Sequence, residues 1–125
     1  MQYNNFMANH NEVGKLGEKY AQEFLINNDY KISECNWRWG KGEIDIIAIK
    51  NDVLVFIEVK TRSKNTFGNP EDTISEKKKN LMYELATEYM YQSAYASEFR
   101  FDVIAIVLEP YIKVDHFMDA FFPSW

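Results

Sequence analysis

Three carboxylates and a lysine fall in two short clusters, Gly42-Glu43-Ile44-Asp45 and, twelve residues on, Glu58-Val59-Lys60. The stretches 43–50 and 53–60 are rich in β-branched and aliphatic residues. Between them, Asn51-Asp52 is a polar pair suited to a two-residue hairpin turn. Such a turn makes Lys50 face Val53, and the same register carried back along both strands sets Asp45 opposite Glu58 and Glu43 opposite Lys60. Directly opposed residues of an antiparallel pair project to one side of the sheet, as do residues two apart on one strand. The four polar groups are therefore expected on one face with Ile47, Ile49, Leu54 and Phe56, leaving Ile44, Ile46, Ala48, Val55, Ile57 and Val59 on the other. Acids gathered on an otherwise apolar hairpin repel one another unless a cation neutralises them. Lys60 and Arg62 can do so as an ordinary salt-bridge cluster at a sheet end. A hard divalent ion, Mg²⁺ or Mn²⁺, between Asp45 and Glu58 can do so as well, with water and phosphate filling its shell. In that case Lys60 orients or activates the water attacking a phosphodiester, or stabilises charge developing on the phosphate.

The elements that must position these groups are read from periodicity. Val13, Leu16, Gly17, Tyr20, Ala21, Phe24 and Leu25 recur at helical spacing, with Asn9 or Asn11 as cap and Asn27-Asn28-Asp29 as stop. Gly14 and Gly17 each cost this helix about 1 kcal/mol relative to Ala. Something must approach its backbone closely: a packed strand, the favoured reading, or a phosphate backbone. A strand is expected over 30–36 and an aromatic, basic loop over 37–42. After the hairpin, 62–70 reads as a polar loop, and Thr73-Ile74-Ser75-Glu76 has the form of a capping box. The helix that follows carries Ile74, Leu81, Met82, Leu85, Ala86, Tyr89 and Met90 on one face. Residues 101–108 suit a strand buried on both faces, Glu109-Pro110 turns the chain, and 111–114 returns alongside. Helix, three strands, helix, two strands is an α/β or α+β sheet with helices packed on it.

With 125 residues, the chain suits a single domain over 1–125, its ends at 1–10 and 122–125 expected to be disordered. One cysteine, Cys35, excludes an intrachain disulfide and a multi-cysteine zinc site. That fits a reducing, cytoplasmic setting, with Cys35 as a small buried hydrophobe. No stretch approaches the roughly 18 apolar residues of a membrane span, so no membrane partner is expected. The net charge of -5 disfavours wholesale binding to polyanions, yet ten of the fourteen cations lie in 31–79, a segment with eight acids. A polyanion is allowed there.

The ordered set Gly42-Glu43-Ile44-Asp45 and Glu58-Val59-Lys60 resembles the Asp…Glu-x-Lys core of the PD-(D/E)xK nuclease superfamily, with its restriction-endonuclease-like mixed β-sheet flanked by helices. More narrowly, the chain resembles the YraN-like family of small bacterial proteins, similar in architecture to archaeal Holliday junction resolvases. Gly17-Glu18 with Ala21, Asn36, Arg38, Arg62, Phe67-Gly68, Lys78 and Arg100-Phe101-Asp102-Val103 extend the likeness over nearly the whole chain. The superfamily's Pro-Asp pair is Ile44-Asp45 here, which keeps the acid. The resemblance implies Asp45, Glu58 and Glu18 as metal ligands for Mg²⁺ or Mn²⁺, with Lys60 completing the catalytic set. It implies a metal-dependent endonuclease acting on DNA, branched structures in repair or recombination above all. Arg38, Arg62 and Lys78 are candidate phosphate contacts, and a homodimer is compatible with this reading.

Other residues have plainer readings. Trp37 and Trp39 either stack on bases or pack in the core. Lys78 reaches from its helix toward the carboxylates or a phosphate, whereas Lys77 and Lys79 are expected to be solvated. Arg100 and Asp102 are expected to pair structurally, and His10 and His116 have no ligand spacing. With no sequence-reading module, shape or backbone recognition is expected. The rivals are a catalytically silent nucleic-acid-binding or DNA-processing accessory protein and a protein-interaction domain using acidic helices in 80–125.

Overall fold

Asn51 and Asp52 both adopt positive φ, 52° and 64°, the geometry of a tight hairpin turn whose twist matches that of its flanking strands. Around this turn the computed structural model describes residues 10–64, 74–95 and 98–122. The elements run α1 (His10–Asn27), β1 (Lys31–Trp39), β2 (Gly42–Lys50), β3 (Val53–Lys64), α2 (Glu76–Ser93), β4 (Phe99–Glu109) and β5 (Lys113–Phe117). The strands form one five-stranded sheet in the order β1-β2-β3-β4-β5. All neighbours are antiparallel except β3 and β4, which run parallel and are joined by α2. An open mixed sheet with a helix against each face is consistent with the restriction-endonuclease-like arrangement.

Each helix closes its own core. Ala21 and Leu25 of α1 cover Ile46, Ala48, Val55, Ile57, Ile104 and Ile106, while Met82, Leu85 and Ala86 of α2 cover Ile47, Leu54, Phe56, Phe101 and Val103. Because β3 and β4 are buried on both faces, their sequences are near-continuous apolar runs. At Gly17 a Cβ would collide with the Thr61 side chain, so the close approach foreseen there is a strand, β3.

Several expectations need correction. β1 continues through Trp37-Arg38-Trp39, and the expected loop shrinks to a turn at Gly40 and Lys41. β3 runs on through Arg62 to Lys64, and the return strand starts at Lys113. α2 is capped by Ser75, whose Oγ accepts the Lys78 amide at 3.1 Å; Thr73 lies outside the described residues, as does Phe67-Gly68. At the N-terminal end α1 begins at residue 10; residues 1–9 and 123–125 lie outside the described residues. Segment 80–125 holds the rest of α2 followed by β4 and β5, not a set of helices.

The most consequential difference lies in β2. Ile44 packs under α2 beside Ile47, not under α1 with Ile46 and Ala48. Gly42 shares that side, since a Cβ there would stand 2.8 Å from Leu85. The alternation thus slips between Ile44 and Ile46. Across the strand pair, the register is the same at Cys35↔Ile46 and Trp37↔Ile44, with no rung between Asn36 and Asp45, and the ladder's register shift lies further back, between Ile32 and Glu34; Asn36 has φ 53°. A left-handed residue in one strand opposite a break in its partner re-aims the side chains on either side. Asp45 sits at that break.

Candidate active site

The β2–β3 ladder keeps the register set by the turn, from Lys50↔Val53 to Ile46↔Ile57. Beyond it, Asp45 Oδ2 accepts the Val59 backbone N–H at 2.8 Å, so a side chain takes the place of the next rung. This brings Asp45 beside Glu58, close enough for each carboxyl to act on the other. Burial, and then the Glu58 charge, push the Asp45 carboxyl up to about 7; the Val59 N–H and Lys78 act in the opposite direction. Glu58 itself is buried. Lys60 Nζ lies 3.8 Å from Glu58 Oε2 and Lys78 Nζ 3.8 Å from Oε1, so one ammonium group stands on each carboxylate oxygen. Lys78 arrives from the first turn of α2, as the sequence reading anticipated.

Glu43 does not join this group. The slip in β2 leaves it paired with Arg38, Nε to Oε2 at 3.0 Å, and no rung joins it to Lys60. The expectation of four polar groups on one face is therefore corrected, because alternation does not survive the break at Asp45. Glu18 approaches from α1. Asn36 Nδ2 donates to its Oε1 at 2.9 Å; burial first, then the Asp45 and Glu43 charges, raise its carboxyl to about 7. Glu18, Asp45 and Glu58 thus form a chain of acids across the edge where β2 and β3 part. Among the described residues, however, no three His, Cys, Asp or Glu side chains are gathered closely enough to be a ready-made metal cage. Asn36 is the residue whose importance spacing did not convey. Its signal was its type, since Asn tolerates left-handed backbone better than most residues.

Outside this cluster the plainer readings divide. Trp37 packs edge-on against Tyr89, ring centres 5.2 Å apart, whereas Trp39 is exposed. Cys35 is exposed, against the expectation of a buried hydrophobe, because β1 is an edge strand whose outer face is uncovered. Lys79 is not simply solvated: it pairs with Glu76 at 3.5 Å and lies over the Phe121 ring. Arg62 lies in β3 beside Val107 of β4. Arg100 and Asp102 do pair, at 2.9 Å. His116, which spacing left without a role, sits with Nε2 2.7 Å from Asp102 Oδ2. The Asp119 N–H donates to Asp102 Oδ1, and Arg100 also donates to the Tyr30 hydroxyl. Burial alone would raise the Asp102 pKa; the hydrogen bonds from His116, Arg100 and Asp119, with the Arg100 charge, hold it below the usual range. A fully buried carboxylate so completely satisfied is a structural clasp between β4 and β5.

The family model described as "Uncharacterised protein family UPF0102" matches residues 17–106. The chain belongs to the UPF0102 family. A UPF0102 protein of Flavobacterium psychrophilum is 45% identical over 117 residues, spanning 93% of this chain and 98% of that protein. Those of Christiangramia forsetii and Phocaeicola vulgatus are 43% and 41% identical, each covered over 98% of its length. The UPF0102 match takes in Glu18, Asn36, Asp45, Glu58, Lys60 and Lys78, and so the whole acid chain with its two ammonium groups. No helix among its described residues is long and apolar enough to cross a membrane. The donor set suits a hard cation. Asp45 has its pKa pushed up to about 7 by burial and by the Glu58 charge; a divalent ion would relieve such a pair, and Mg²⁺ is commonly held by one or two carboxylates plus water and phosphate.

Proposed function

We propose that this UPF0102 protein is a metal-dependent endonuclease that hydrolyses DNA phosphodiester bonds, selecting branched or otherwise non-linear structures in repair or recombination. The observation that carries the reading is the contact between the Asp45 and Glu58 carboxylates, with Lys60 and Lys78 each 3.8 Å from Glu58. A purely structural cluster would minimise repulsion by pairing each acid with a base. Here both bases stand on Glu58, and among the described residues Asp45 has no ion pair.

Asp45 and Glu58 would hold Mg²⁺ or Mn²⁺, with Glu18 as the third acid once Asn36 releases or shares it. The bound ion supplies Lewis-acid polarisation of a phosphoryl oxygen and a more acidic water. The Val59 N–H fixes the Asp45 carboxylate in orientation. Lys60 places a positive charge where the phosphoryl oxygens gain negative charge and can orient the attacking water. Lys78 offsets part of the acid charge that would otherwise repel a phosphate. Arg38 and Arg62 add backbone contacts without base readout.

The resemblance to the PD-(D/E)xK core and to Holliday junction resolvases supports DNA as the substrate and four-way junctions as the first to try. Purified protein incubated with linear, nicked, flapped and four-way DNA, with and without Mg²⁺ or Mn²⁺, is expected to cleave a branched substrate only with metal. Salt-dependent binding of those substrates without cleavage would replace this reading with that of a silent accessory protein.

A further inference from the structure

Gly17 is explained by Thr61, but Gly14 is not: a Cβ there would meet nothing within 4 Å among the described residues. A glycine inside a helix weakens it, and no described residue uses the room that Gly14 leaves. Gly14 lines a polar cleft of about 380 Å³ between α1 and the β1–β2 edge, with Asn11, Lys15, Asn36 and Arg38 as donors and Glu18 and Glu43 as acids. Arg38 is 77% exposed and uses only Nε on Glu43, leaving both terminal nitrogens unengaged among the described residues. Lys15 is exposed and has no ion pair among them. Through Glu18 the cleft adjoins the acid chain on its α1 side, while Lys60 and Lys78 flank Glu58 on the α2 side.

We propose that this cleft is a second phosphate subsite, in which a DNA backbone phosphate neighbouring the one at Lys60 lies against Gly14 and is contacted by Lys15 and the terminal nitrogens of Arg38. It rests on the nucleic-acid reading above and adds a path for the strand, from Lys60 and Lys78 across the acids and over α1. The missing Cβ lets a phosphate approach the helix surface, and the paired Glu43 no longer opposes it. Two cations and two carboxylates leave the cleft neutral by itself. It becomes net positive when a divalent ion takes up Glu18, so the subsite works only with metal bound.

The test measures binding of four-way and duplex DNA over a salt series in Ca²⁺ and in EDTA, for wild type, Gly14→Ala and Lys15→Ala. Gly14→Ala is expected to melt at or above the wild-type temperature, since its methyl group has room, yet to bind about 5-fold more weakly in Ca²⁺. Lys15→Ala is expected to bind about 5-fold more weakly to all sequences and to lower the salt slope by about 0.9, the loss of one phosphate contact. Both deficits should shrink in EDTA. Wild-type affinity and slope in both variants would overturn the subsite while leaving DNA binding standing, and no salt-dependent DNA binding by wild type would overturn both. Should Gly14→Ala melt lower, the glycine is structural and the Lys15→Ala slope decides.

Discussion

Glu58 has two ammonium groups on its oxygens, and Asp45 has one backbone N–H. That asymmetry makes the two acids fail differently when changed. Asp45→Asn keeps an acceptor for the Val59 N–H and removes the repulsion with Glu58. In EDTA at pH 8 it is expected to melt above wild type, and to lose most of the rise in melting temperature that Mg²⁺ gives the native protein. A thermal-shift titration checks both; an unchanged Mg²⁺ response would place the metal elsewhere. Lys60→Ala should keep that metal response while cleavage falls about 10²-fold or more. Glu58→Gln should lose both, and Lys60→Arg should not rescue fully, because guanidinium keeps the charge but differs in shape and does not release a proton readily. Cleavage at wild-type rate in both Lys60→Ala and Glu58→Gln would point to another site or a contaminant.

At the scale of elements, the site depends on where α1 and β2 meet the central strand. Packing of α1 on β3 is tight at Gly17, where the helix surface has no room for a methyl group beside Thr61. Gly17→Ala would gain helix propensity but is expected to cost about 1–3 kcal/mol by overpacking, and to move Glu18 away from Asp45. Urea unfolding of Gly17→Ala beside Gly14→Ala separates the effects: the first should lose stability and the second should not. Equal gains in both would mean that α1 and β3 are not in close contact. The slip at Asn36 and Asp45 matters equally, since it sends Glu43 to Arg38 and leaves Asp45 free to reach Glu58. β2 thereby serves both cores without carrying both of its acids on one face.

For the whole molecule, two groups of carboxylates pull the pH dependence of stability in opposite directions. Asp45 and Glu18 are pushed up to about 7 by burial and by neighbouring acids. The folded state therefore holds their protons more tightly than the unfolded chain, where such groups titrate near about 4. Their contribution is complete below that value and is lost as pH rises toward about 7. Asp102 is held below its usual value by His116, Arg100 and the Asp119 N–H, so its contribution is present above about 4 and lost as pH falls through its folded pKa. Melting temperature in EDTA is thus expected to peak near about pH 4 and to decline toward neutrality as well as into stronger acid. Saturating Mg²⁺, or Asp45→Asn, should flatten the decline toward neutrality. A wild-type melting temperature that climbs steadily from pH 5 to pH 8 without metal would show that the acids are not in mutual contact.

Much of this architecture was legible in the order of residues. Helical spacing identified both helices, and the apolar run at 101–108 announced a strand buried on both faces. Asn51-Asp52 set the hairpin register, because a two-residue turn leaves the flanking strands no freedom to slide. The same local rule misplaced Ile44 and Glu43, since alternation persists only while both strands keep extended backbone, and Asn36 leaves it at φ 53°. The Asn36 side-chain amide is taken by Glu18, eighteen residues away, a contact that no local rule reveals. The roles of His116 and Asp119 were invisible for a similar reason, as both meet Asp102 only once β5 has folded back on β4. Local sequence determined which segments are helix and strand and which acids are near neighbours, because those choices depend on turns and periods a few residues long. Tertiary structure alone decided that Glu43 leaves the other acids for Arg38, that both ammonium groups stand on Glu58 and which glycine faces open space among the described residues, because those depend on contacts between elements far apart in the chain.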